Sequence, residues 1–267
     1  MRPPGNRLMA KPNYIELSRE LCIPILYEDR SVLAIDKPGG WMLAPNTWDR
    51  TGRNLQLALE SSVREGEYWA RSRNLKFLRF LHRLDADTSG VLLLAKNVGV
   101  VRAYSEMFES HDVEKVYWAV VQGAPKPPEW TCELPLAPHP DKSGLMVISP
   151  REGKPAETHF RMLRAVRDRS LVEVHPITGR THQIRIHLAA AGFAVLNDPW
   201  YQSVPSPETA GRSAGHLKVE GHKSFHYKDA PPMALRAIRV AYQDPFQRRR
   251  VRIEAPVEAF LKAFGFA

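Results

Sequence analysis

Residues 82–90, HRLDADTSG, place an imidazole and a guanidinium just ahead of Asp85 and a Thr-Ser-Gly turn just after it. The apolar run VLLLAK (91–96) follows, the pattern of a strand buried on both faces. A carboxylate in that position could serve several chemistries. An aspartic protease needs a second loop with a partner carboxylate, and this chain has one copy only. A nucleophile elbow needs Gly-x-Ser-x-Gly, and Asp87 stands where its first glycine belongs. His82 and Asp85 could ligate a metal, but no HExxH or comparable cluster joins them. Two readings remain: Asp85 or Asp87 caps the turn, or Asp85 is an unpaired carboxylate for covalent catalysis.

Residues 178–192, TGRTHQIRIHLAAAG, predict a helix opening at Thr178 or Gly179 and stopping at Gly192. Its first turns carry Arg180, His182, Arg185 and His187. His182 and Arg185 share one face; Ile184, Leu188 and Ala191 share another. A helix start flanked by arginine favours an anion, either a phosphate or a carboxylate such as Asp85. The plain alternative is a solvated basic face. In EKVYWAVV (114–121), Lys115 and Tyr117 point to one side of a strand, and Val116 and Trp118 to the other. A tyrosine beside a cation can stack on a nucleobase, although a half-buried core tyrosine would read the same.

The elements that must hold these residues follow from periodicity. IPILYEDRSVLAIDKPGG predicts two strands split by Glu28-Asp29-Arg30 and ended at Pro38-Gly39-Gly40. Leu55, Leu59 and Val63 predict a helix stopped by Gly66. Asn97 is an expected N-cap for a helix with Val100, Tyr104, Met107 and Phe108 on one stripe. PAETHFRMLRAV and SLVEVHP form a strand pair across Arg167-Asp168-Arg169. APKPPEW, PHPDKSG and residues 202–232 read as loops. A strand-turn-strand-helix run, with Val257, Phe260, Leu261 and Phe264 on its helix, closes the chain. Strands in adjacent runs with irregular helices predict an α+β fold around a mixed sheet. Residues 1–22 are expected to be a polar arm, and 23–267 a single domain.

The 267 residues are 43% hydrophobic, enough for a sizeable core. Cys22 and Cys132 lack metal-ligand spacing and read as two reduced core thiols. No apolar stretch approaches the ~20 residues that span a bilayer, and no apolar block follows the basic start. A soluble, cytoplasmic chain is expected, with no membrane partner. The formal net charge of +9 points to an anionic partner, and nucleic acid leads.

Taken together, the three stretches resemble the RluA-like family of RNA pseudouridine synthases. That family reads His-Arg-Leu-Asp, a short gap and Thr-Ser-Gly before an apolar strand, as here from His82 to Gly90. It has Lys-x-Tyr at a strand start, matched by Lys115 and Tyr117, and Thr-Gly-Arg-Thr-His-Gln-Ile-Arg, present unbroken from Thr178 to Arg185. The Lys37-Pro38 turn, PAETHFRML and DPWY (198–201) also fit, over roughly residues 24–264. Departures are Asn197-Asp198 for Gly-Asp, Tyr201-Gln202 for Tyr-Gly, and LRA (235–237) for Leu-His-Ala.

The resemblance implies a mostly antiparallel central sheet, two-lobed around a cleft, without the small N-terminal RNA-binding domain of many members. It implies isomerisation of uridine in tRNA or ribosomal RNA by a monomer that needs no metal or cofactor. Asp85 would be the nucleophile, Arg185 its charge partner, and Tyr117 the stacking ring. Arg83 would fill the gap left by the extruded base. His82, Lys115, Arg180 and His182 would contact RNA. A catalytically inactive RNA-binding protein of the same fold is the alternative, against which Asp85 argues. A metal-dependent phosphodiesterase using His82 and Asp85 is a third reading.

Overall fold

Apolar residues 91–95 can face water on neither side, so they take the middle of a covered sheet, each 0–1% exposed. Complete burial of one such Val or Leu contributes about 1.5–3 kcal/mol. The computed structural model describes residues 10–18, 21–43, 53–202 and 231–267. Its first half runs β1 (Tyr14–Ser18), β2 (Leu21–Glu28), β3 (Val32–Lys37), α1 (Leu55–Arg64), α2 (Tyr68–Arg71), β4 (Arg79–Phe80), β5 (Ser89–Ala95) and α3 (Val98–Glu109). Five strands follow: β6 (Glu114–Gln122), β7 (Glu129–Cys132), β8 (Leu136–Pro138), β9 (Met146–Ile148) and β10 (Thr158–Val166). The chain continues through β11 (Arg169–Pro176), α4 (Gln183–Ala190), β12 (Leu235–Gln243), β13 (Arg250–Glu254) and α5 (Glu258–Phe264).

One sheet of eleven strands runs β1-β2-β3-β5-β12-β6-β11-β10-β7, with β4 on β5 and β13 on β12. Among the described residues its one parallel strand pair is β5 with β12, so the fold is the expected α+β with a mixed, mostly antiparallel sheet. The parallel contact is two residues long, Ser89 with Arg236 and Gly90 with Ala237. Beyond it the strands part, β5 taking β4 and β12 taking β13 as neighbours. Gly90 makes this crossing possible. Its φ is +111°, and a Cβ there would lie 2.1 Å from the Ala237 carbonyl oxygen. The glycine of the Thr-Ser-Gly turn is therefore the point where the two halves of the sheet touch.

Several expectations change. The arm expected over residues 1–22 includes β1, which pairs with β2 and buries Ile15 completely; residues 1–9 lie outside the described residues. Cys132 is buried, but Cys22 is exposed, on the outward-facing positions of β2. APKPPEW runs into β7, and PHPDKSG is the tip of the β8–β9 hairpin. Asn97 caps α3 by position alone, with no side-chain hydrogen bond, whereas Asn54 Oδ1 accepts from the Leu57 N–H and caps α1. Apart from its ends, the loop expected over 202–232 lies outside the described residues.

Candidate active site

The β3 end and the β5 start form the floor of the site. Buried Lys37, the last residue of β3, donates from Nζ to the carbonyls of Pro38 (3.0 Å), Ala86 (2.7 Å) and Thr88 (2.9 Å). Burial pulls its pKa down to about 7, against the opposing pull of Asp87 and Asp85. Three acceptors need three N–H protons, which the ammonium has and the amine lacks, so this geometry holds the charged form. The Gly40 N–H also donates to the Ala86 carbonyl. Residues 85–88 are thus pinned from below and hold Asp85 at the mouth of β5. The side chain of Asp85 does not cap its turn; it accepts from Arg185 Nη1 at 3.2 Å.

Arg185 comes from α4 and is 2% exposed. Its fork is committed elsewhere: Nε and Nη2 donate to the two carboxylate oxygens of Asp198, at 2.6 and 2.8 Å. Only Nη1 turns to Asp85. Asp198 also accepts from the N–H groups of Trp200 and Tyr201, and the Tyr201 ring lies 5.0 Å from the guanidinium carbon. Asp198 was missed as a site residue, because DPWY carries no mark of the arginine it holds. Burial pushes the Asp85 carboxyl up, but His182, Arg185 and Lys37 outweigh it and leave it below its ordinary value. Burial also lowers the His182 pKa, so near neutral pH the outweighing charges are Arg185 and Lys37.

A cleft of about 450 Å³ opens above Asp85. Seven of the eight sequence-predicted residues line it: His82, Arg83, Asp85, Lys115, Tyr117, Arg180 and His182. Arg185 lies beneath. Tyr117 is 9% exposed, and burial together with the charge of Asp85 keeps its hydroxyl protonated. Arg83 is exposed, and Arg180 Nε donates to the Pro155 carbonyl. His82 is fixed by its neighbours. Its ring stacks on Phe108 at 4.8 Å, Nε2 accepts from the Leu93 N–H, and burial lowers its pKa to about 3. It offers the cleft a neutral surface, and the nitrogen a metal would need is taken. Among the described residues no group of three or more His, Cys, Asp or Glu could hold a metal ion.

The helix expected from Thr178 or Gly179 begins only at Gln183, with His182 in the left-handed region at φ +55°. The Gln183 side chain explains the delay. Its Oε1 accepts from Thr178 Oγ1 (2.8 Å) and the Arg180 N–H (2.9 Å), and its Nε2 donates to the Glu157 carbonyl and Thr158 Oγ1, both at 2.9 Å. The chain that would have wound into helix instead closes as a loop around this amide. Nor does α4 have a solvated face: residues 183–189 are all buried, while Ala191, assigned to the apolar face, is exposed. His182 Nδ1 lies 2.8 Å from the Tyr201 hydroxyl, which itself accepts from the Met146 N–H. His182 Nε2 lies 4.0 Å from Asp85 Oδ1.

Gln183→Glu is expected to lower the melting temperature by several degrees, since it sets a carboxyl against two acceptors and opens unsatisfied groups costing about 1–3 kcal/mol. A variant that melts like wild type would show that the amide does not shape the loop.

A recessed carboxylate beneath a tyrosine in a cation-lined cleft suits an enzyme that acts on a neutral ring carried by a polyanion. Residues 31–190 match the family described as RNA pseudouridylate synthase. The chain is 40% identical over 184 residues to an uncharacterized RNA pseudouridine synthase of Zymomonas mobilis, covering 67% of this chain and 78% of that protein. It is 32% identical over 239 residues to ribosomal large subunit pseudouridine synthase C of Salmonella typhimurium, 89% of this chain and 67% of the relative. In fold it is similar to human RNA pseudouridylate synthase domain containing 4, with a TM-score of 0.65 at 22% identity over 91% of this chain and 92% of that one. The chain belongs to the RNA pseudouridylate synthase family, and it is an RNA pseudouridine synthase.

Proposed function

We propose that Asp85 is the nucleophile with which this enzyme detaches a uracil from its ribose and lets it re-attach through carbon. The observation that supports this most is a carboxylate kept ionised by Arg185 at the floor of a cleft that also holds Tyr117. The atoms balance within the nucleotide. The N1–C1′ bond breaks, a C5–C1′ bond forms, a proton leaves C5 and one returns to N1, so no external group is consumed. Tyr117 stacks on the target base, and Arg83 at the exposed rim fills the gap that the extruded base leaves. Lys115, Arg180 and His182 face the RNA chain, and neutral His82 supports the wall of the cleft. The fold from β1 to α5 acts as one catalytic unit, a cytoplasmic monomer working without metal or cofactor.

The name of the Salmonella relative puts ribosomal RNA first among the substrates to test, and tRNA second. Mapping pseudouridines transcriptome-wide in cells with and without the protein tests the reading, and sites lost with the protein identify the RNA. No lost site, together with RNA binding by the purified protein, would favour the inactive RNA-binding alternative. With a net charge of +9, affinity should fall steeply with salt, the log-log slope being about −0.7 for each phosphate neutralised on a single strand. A slope near zero would show that the basic surface is not the RNA footprint.

A further inference from the structure

Most cations in and under the cleft already have partners. Arg185 holds Asp198 and Asp85, Lys37 holds three carbonyls, and Arg180 holds the Pro155 carbonyl. Lys115 differs. It is half-buried and lines the cleft, yet among the described residues its ammonium makes no hydrogen bond and no ion pair. Burial alone accounts for its lowered pKa, with no carboxylate to offset it. A cation taken partly out of water without a partner is destabilising, and an anion placed beside it offsets that cost.

The surroundings show where such an anion would sit. A Cβ built on Gly179 would lie 3.9 Å from Lys115 Nζ, so the ammonium stands directly against the backbone of the 178–182 loop. The N–H groups of Gly179 and Thr181 have no partner among the described residues, and both residues line the cleft. An ammonium beside unpaired backbone N–H groups is the chemistry of a phosphate seat. Lys115 precedes Tyr117 by two positions on the same face of β6, about 7 Å along the strand. A base stacked on Tyr117 would therefore bring an adjoining phosphate of its own chain towards the ammonium.

We propose that Lys115 and the Gly179–Thr181 backbone form a seat for one RNA phosphodiester next to the target base, fixing the extruded nucleotide. The seat rests on the reading of this cleft as the RNA site. Uracil is neutral and gives an ammonium little to hold; the phosphodiester supplies the charge.

The test pairs Lys115→Met and Lys115→Arg with RNAs that carry a single neutral methylphosphonate, stepped through the linkages around the mapped uridine. Lys115→Met should raise the Kd about tenfold, the loss of one charge-assisted contact, and make the salt slope shallower by about 0.7. Lys115→Arg should recover most of the affinity. At one linkage, methylphosphonate should weaken wild type to the level of Lys115→Met and leave the variant unchanged. The melting temperature of Lys115→Met should match or exceed that of wild type, because an unpaired half-buried charge has gone. Losses that add at every linkage, or no change in Kd, overturn the seat. If wild type makes pseudouridine while those losses add, the seat fails and the enzyme reading stands. If wild type makes none, the enzyme reading fails, and the Kd cycle still decides the seat on the RNA that the protein binds best.

Discussion

Asp85→Asn is expected to reduce pseudouridine formation roughly 10⁴-fold or more, the scale of losing a nucleophile, while RNA affinity stays within about threefold. Asparagine keeps the size of the side chain and an oxygen for Arg185 Nη1, so the site should remain assembled. It loses the charge that makes the oxygen a nucleophile. Binding is spared because it draws on phosphate contacts spread over the basic surface. Single-turnover assays beside a binding titration decide the matter, and turnover near wild type would remove Asp85 from its role. The pH dependence carries the same logic. A carboxyl whose folded-state pKa is depressed is ionised above its ordinary value of 3.8, and its stabilisation is lost only as pH falls through the lower folded-state value. Titration of Asp85 should therefore leave activity flat between about pH 5 and 8.

Arg185→Met should lower both activity and stability, the latter by about 3–5 kcal/mol, as expected when a buried pair loses one member. For a chain of this size that is a fall in melting temperature of roughly 6–20 °C. The two carboxylates left behind are not equivalent. Asp198 has a fully buried side chain and loses both arms of the guanidinium fork, whereas the Asp85 side chain is 21% exposed and loses one contact at 3.2 Å. Adding Asp198→Asn to Arg185→Met should thus restore more stability than adding Asp85→Asn, with activity absent in both double variants. Thermal melts of the singles and the two doubles measure the couplings. An equal or larger rescue by Asp85→Asn would make Asp85, not Asp198, the main partner of the arginine.

Much of the site was legible in the sequence, because local pattern carries it. Asp85 stands before a run with the pattern of a buried strand, and the structure makes that run β5, so its place at a strand mouth was legible in the hydropathy. Lys115 and Tyr117 face the same way because strand side chains alternate, and both line the cleft. What the periodicity of 178–192 could not carry was its own helix start. The Gln183 amide takes hydrogen bonds from its loop and gives them to β10 and the residue before it, a competition that no single-element pattern records. Likewise Arg185 read as one member of a basic face and is instead 2% exposed, since burial depends on what the other elements bring against the helix.

The sequence by itself determined the long strands β2, β3, β5, β6, β10 and β11, the direction each side chain faces on them, and the set of residue types available for the chemistry. These are local properties, set by backbone geometry and the 2.0 and 3.6 periods. Only the tertiary structure decided who partners whom. Gly90 is required because β12, far along the chain, crosses it at Ala237. Arg185 gives its fork to Asp198 and one nitrogen to Asp85, and among the described residues Lys115 is left without a partner. Coulombic and hydrogen-bond energies depend on distance in space and on exclusion of water. Both are settled only when distant segments close on one another.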